Sequence, residues 1–107
     1  MSTNLDINKN TDYTRTFTVM DTNNTVINLN GFTMSSQLRR TPLSTASVSF
    51  TMSFIDAAAG KVQMFLPHSI TNTLEGKYFY DIFLTDPSSL KFKIEDGLIF
   101  IHPNITQ

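Results

Sequence analysis

The sequence predicts an all-β protein: a single antiparallel β-sandwich of about seven to nine strands with one short connecting helix. Three observations predict it. Apolar and polar residues alternate with period two through most stretches between turn signals, which puts successive side chains on opposite faces of a sheet. These stretches are short and are separated by Gly, Pro, Asn and Asp, as in two-sheet architectures. The 107 residues leave room for one core rather than two, so residues 1–107 are expected to form one domain.

Each element follows from its own pattern. Residues 1–10 are polar and read as an N-terminal arm or an edge strand. In the first clear strand Tyr13, Phe17 and Val19 alternate with Thr14, Thr16 and Thr18. It stops at the turn Asp21–Thr25, from which Val26–Leu29 are expected to return as a second strand. After Asn30-Gly31, Met34 to Arg40 form a strand with Met34, Ser36 and Leu38 inward. The loop Thr41–Thr45 follows. Ser47–Phe54 carries Val48, Phe50, Met52 and Phe54 on one face and only small hydroxyl residues on the other. The turn Asp56–Gly60 then leads into Lys61–Leu66, with Val62, Met64 and Leu66 inward, completing a hairpin.

Pro67–Leu74 breaks the alternation, and the i,i+4 spacing of Ile70 and Leu74 predicts one short helix there. Lys77–Thr85 carries Tyr78, Tyr80, Ile82 and Leu84 on one face and Phe79 and Phe83 on the other. Asp86–Ser89 is the next turn, followed by the alternation Leu90, Phe92, Ile94. Asp96-Gly97 reads as a tight hairpin turn, with Leu98–Ile101 as the last strand. The expected core is Phe17, Val19, Leu38, Val48, Phe50, Met52, Phe54, Val62, Met64, Leu66, Tyr78, Tyr80, Ile82, Leu84, Phe92, Ile94, Ile99 and Ile101.

Composition narrows the function. Eight Lys/Arg against nine Asp/Glu give a net charge of -1, which supplies no field for a polyanion, so nucleic acid is not an expected partner. No apolar run spans a bilayer and no signal-like segment opens the chain, so a soluble, unprocessed chain without a membrane partner is expected. Ser, Thr and Asn number 34, so the polarity comes from hydroxyls and amides. The absence of cysteine excludes a disulfide framework, thiolate zinc sites and a thiol nucleophile.

The remaining candidates for chemistry are sparse. His68 and His102 have no metal-ligand spacing and read as surface residues, so neither a metal nor a cofactor is expected. Ser69 beside His68 lacks a nucleophile-elbow pattern, and none of the four glycines belongs to a phosphate-cradling motif, so no catalytic residue is assigned. Glu95-Asp96 is explained by the hairpin turn. Asn23-Asn24-Thr25 and Asn104-Ile105-Thr106 match the glycosylation sequon, which carries no weight without a secretory signal. Asp81, within an aromatic strand, reads either as a structural carboxylate that accepts backbone hydrogen bonds or pairs with Arg39 or Arg40, or as an interface anchor. Phe65, Phe79 and Phe83 lie out of phase with the core set and are candidates to bury against a partner, together with Asp81, Arg39 and Arg40. Residues 1–10 and the last strand offer backbone for strand addition.

The ordered signals Asp12–Val19, Asn28–Thr33, Ser36–Arg39, Asp56–Gly60, Leu74–Asp81 and Glu95–Thr106 resemble small virion proteins of tailed bacteriophages. In that group a strand of this kind leads to a "leucine-x-Gly" turn, a "Gln-x-Arg" strand and a "Gly-x-Tyr-x-Tyr-Asp" strand. The resemblance runs over roughly residues 5 to 106. It implies an immunoglobulin-like or baseplate-upper-protein-like β-sandwich with a structural, non-enzymatic role in the virion. The expected place is the tail, baseplate or neck, with other virion proteins and copies of itself as partners. A capsid (head) decoration protein and a receptor- or glycan-binding β-sandwich are the alternatives.

Overall fold

The computed structural model describes residues 3–21, 23–41, 43 and 47–103. Within them the chain forms eight strands: β1 (Leu5–Asn8), β2 (Tyr13–Thr18), β3 (Thr33–Arg39), β4 (Val48–Ser49), β5 (Thr51–Asp56), β6 (Lys61–Leu66), β7 (Gly76–Thr85) and β8 (Lys91–His102). One short helix, α1 (His68–Thr71), connects β6 to β7. The strands make two sheets, a five-stranded one in the order β1-β8-β7-β3-β4 and a three-stranded one in the order β2-β6-β5. Mostly β and arranged as two sheets, the structure is consistent with the expected sandwich.

The sheets are not wholly antiparallel, which corrects the expectation. β1 runs parallel to β8, Leu5 opposite Ile99 and Ile7 opposite Ile101, so the five-stranded sheet is mixed. Leu5 and Ile7 are buried, and the N-terminal segment is an edge strand with core residues of its own. The last strand therefore has β7 on one side and β1 on the other along Ile99–His102, and its backbone there is not free for strand addition.

Three further elements depart from expectation. Ser47–Phe54 is not one strand: β4 pairs with β3, the buried Phe50 marks the crossing, and β5 continues in the other sheet. Val26–Leu29 form no strand, only a single bridge from Met20 to Val26, yet Leu29 is buried. Asp96-Gly97 is no turn, because β8 runs through it without a break. The change of phase between Phe92 and Ile99 is instead a β-bulge. Glu95 faces Ile82 and Lys93 faces Phe83, leaving Ile94 as the extra residue. Gly97 is there for a close approach: a Cβ would overlap the carbonyl of Thr3, whose N–H donates to Asp96 O at 2.8 Å.

The turn at Asp56–Gly60 is a single 3-10 turn. The Asp56 side chain accepts from Ala59 N, and Gly60 closes it at φ 70°, with the Ile27 carbonyl too near for a side chain. α1 follows Pro67, and its first N–H is met by Asp12 from the segment before β2 rather than by a local cap.

The core lies between the sheets in two adjoining clusters. One gathers Leu5, Ile7, Leu38, Phe50, Met64, Leu66, Leu74, Tyr80, Ile82, Ile99 and Ile101, the other Val19, Leu29, Val62 and Leu84. Phe17, Val48, Met52, Tyr78 and Ile94 pack against them half-buried. Phe54 and Phe92, expected inside, are 38% and 47% exposed, because β5 is an edge strand and β8 has β1 beside it only along Ile99–His102, whereas their partners Val62 and Leu84, one strand further in, are buried.

Phe50→Ala should cost about 3–5 kcal/mol, since it removes buried area and leaves a cavity at the sheet crossing. Phe92→Ser should stay within about 1 kcal/mol of the parent. Urea midpoints check both, and equal shifts for the two would remove Phe50 from its place at the crossing.

Candidate functional site

β7 and its neighbours build a distinct outer surface. Tyr80, Ile82 and Leu84 face the core, so Lys77, Phe79, Asp81 and Phe83 face outward. Register then places Arg39 and Leu98 beside Phe79, Gln37 and Asp96 beside Asp81, and Ser35 and Lys93 beside Phe83. Four expected interface residues, Phe79, Phe83, Asp81 and Arg39, thus share one face, all of them half-buried. An open cavity of about 510 Å³ lies there, lined by Gln37, Arg39, Phe79, Asp81, Asp96 and Leu98 among others.

The other two expected residues lie elsewhere. Phe65 stands on the outer face of the three-stranded sheet, between Thr14 of β2 and Thr51 of β5. Arg40 is engaged at the start of β7. Its Nη1 donates to the carbonyls of Glu75 and, at 3.2 Å, of Lys77, and its guanidinium lies 4.7 Å above the Tyr78 ring.

Electrostatics on the β7 face are uneven. Arg39 Nη2 donates to Gln37 Oε1 at 2.8 Å, and Lys93 pairs with Asp96 at 3.0 Å. Asp81 pairs with neither Arg39 nor Arg40, and among the described residues its carboxylate has no hydrogen-bond or ion-pair partner. It stands directly across from Asp96, an arrangement of like charges that weakens a strand pair.

A second surface was not legible in the sequence. Met20, Val26, Phe54, Ile55, Leu90 and Phe92 are exposed, and all lie toward the end of the sandwich where β2, β5 and β7 finish. Ile55, outward by alternation with Thr51 and Ser53, is the extra residue of a bulge in the pairing of β5 with β6. The signal available was position: these residues sit at strand ends, next to turns.

No family model matches the sequence, and neither does any curated protein.

Several titratable groups outside the β7 face make contacts that tie elements of the fold together. Glu95 points inward, where both its oxygens are held by Arg15 of the opposite sheet at 2.5 and 3.0 Å. The Tyr80 hydroxyl lies 2.7 Å from Glu95 Oε2 and 2.6 Å from the Thr3 carbonyl, with one proton for the two acceptors. Burial, with the Glu95 hydrogen bond, pushes the Tyr80 hydroxyl far above its ordinary pKa, so it stays a donor. His102 Nε2 lies 2.8 Å from Asp6 and His68 Nδ1 2.9 Å from Asp12, both exposed pairs. Among the described residues no three acidic or histidine side chains converge on a metal position.

Asp12 accepts the His68 backbone N–H at 2.7 Å, which, with the imidazole beside it, holds its carboxyl below the usual range. A lowered folded value means that this contribution to stability is present above the ordinary carboxylate pKa and is lost as pH falls through the lowered one. In an NMR titration His68→Ala should raise the Asp12 midpoint only part of the way, because the backbone donor, the larger cause, remains. Full return to the ordinary value would show that the imidazole alone was responsible.

Proposed function

We propose that the chain is a non-enzymatic structural module of a tailed-bacteriophage virion, in the tail, baseplate or neck region, held among neighbouring virion proteins and copies of itself. One observation carries the reading: six of the seven exposed large apolar side chains among the described residues, all but Leu43 in the loop after β3, gather at one end of the sandwich, a surface that a module packed against neighbours would bury. The sequence resemblance to phage virion proteins gives the kind of assembly. Half-buried aromatics on both outer faces, Phe65 on one and Phe83 on the other, offer further lateral contacts.

The edges of the sheets point to contacts through faces and the end rather than by added strands. β4 has two residues and β1 four, β5 carries a bulge, and β2 turns a charged side chain, Arg15, inward. Each is a device that discourages edge pairing.

The double variant Ile55→Ser with Phe92→Ser changes two residues that are each about half exposed, 53% and 47%, so its fold should be intact and its incorporation into particles impaired. Mass spectrometry of purified virions checks this. Normal incorporation would move the contact away from this end, and virions without the protein would end the assignment.

A further inference from the structure

The cavity on the β7 face has a chemistry unlike that of the apolar end. Its charged walls are Arg39 and Lys93 against Asp81 and Asp96, so the formal charges of the lining cancel, with the Lys77 ammonium near one wall, 6.0 Å from the Phe79 ring centroid. The cations are already engaged, Arg39 with Gln37 and Lys93 with Asp96. What remains for a guest is the whole Asp81 carboxylate as acceptor and the unused guanidinium N–H groups of Arg39 as donors.

Beside these polar groups Phe79 and Leu98 stand opposite each other across β7 and β8 and form an apolar wall. A volume of about 510 Å³ is in the range of small-molecule sites. The guest that fits must be uncharged and small, must offer donors and acceptors close together, and must keep an apolar face for Phe79 and Leu98. A pyranose ring meets each requirement. Its neighbouring hydroxyls both donate and accept, two of them can bond the two oxygens of one carboxylate, and its C–H face packs against an aromatic ring.

We propose that this cavity is a binding site for a neutral saccharide, with Asp81 and Arg39 bonding its hydroxyls and Phe79 packing on the ring. The site does not depend on where the module sits in a particle, and its loss would leave the apolar end and the assembly reading untouched.

Saturation-transfer NMR on the whole chain tests it, with methyl β-glucoside, methyl β-galactoside and N-acetylglucosamine as neutral probes and ethylguanidinium and acetate as charged ones. At least one neutral sugar should bind at millimolar concentration, with shifts at Phe79, Asp81 and Leu98, and with affinity insensitive to salt. Asp81→Ala and Phe79→Ala should each weaken it about tenfold, roughly the loss of one hydrogen-bonded or packed contact. Asp81 is half-buried without a partner, so Asp81→Ala should keep the fold, and circular dichroism checks that it does. Three results would each overturn the proposal: no neutral sugar binding, binding unchanged in Asp81→Ala, or a stronger, salt-sensitive response to either charged probe.

Discussion

A carboxylate between two sheets must be met, and the rest of this fold is arranged around meeting Glu95. Taking an ionised side chain out of water costs several kcal/mol unless its partners are close and well directed. Arg15 supplies two parallel N–H donors from the three-stranded sheet, and Tyr80 brings its hydroxyl to the same carboxylate from the neighbouring strand. Arg15 is in turn backed by the Phe17 ring, 4.7 Å from its guanidinium carbon. The geometry couples β2 to β8 across the sandwich, so one sheet cannot slide on the other without leaving a charge unpaired. The Tyr80 hydroxyl also reaches the Thr3 carbonyl, which ties the chain leading into β1 to the same point, and Gly97 leaves the space for it to pass.

The bulge at Ile94 gives this arrangement its register. Without the extra residue, Glu95 would face outward opposite Asp81, and the residues now inward from Ile99 onward would lose their phase with Tyr78 and Gly76. The same bulge turns Asp96 to the outer face, where it pairs with Lys93, so that among the described residues Asp81 is left without a cation. Core and outer cavity are thus set by one local irregularity. The outer face of the three-stranded sheet, by contrast, is rich in Ser and Thr and carries Phe65 as its single large aromatic among the described residues.

Alternation was a sound guide where strands are regular. Val62, Met64 and Leu66, and Tyr80, Ile82 and Leu84, are inward as their spacing requires, and Phe79, Asp81 and Phe83 share the opposite face for the same reason. It misled where the backbone departs from a plain strand. Asp96-Gly97 carries the strongest short hairpin signal, and a phase change beside it looks like a turn, although a bulge produces the same change. Counting back by twos from Ile99 would have put Glu95 inside, and an inward acid asks for a cation such as Arg15, which alternates in phase with Tyr13 and Phe17. Leu5 and Ile7 were hidden in a polar segment and gain meaning only from a parallel partner far along the chain. Phe54 and Phe92 have core spacing, but period two says which face a residue takes and not whether strands flank it on both sides. For the candidate site, phase alone grouped Phe79, Asp81 and Phe83, while the separation of Phe65 depended on which strands share a sheet.

The central claim is that Arg15 and Glu95 act as one unit holding the sheets in register, and a double-mutant cycle measures it directly. Arg15→Met alone leaves a buried, unpaired carboxylate and should cost about 3–5 kcal/mol, whereas Arg15→Met with Glu95→Leu should recover most of that loss. Urea unfolding of the parent, both single variants and the double variant supplies the four free energies. A large favourable coupling is the predicted result; costs that simply add, with Arg15→Met alone below about 1 kcal/mol, would show that the pair does not hold the sandwich together.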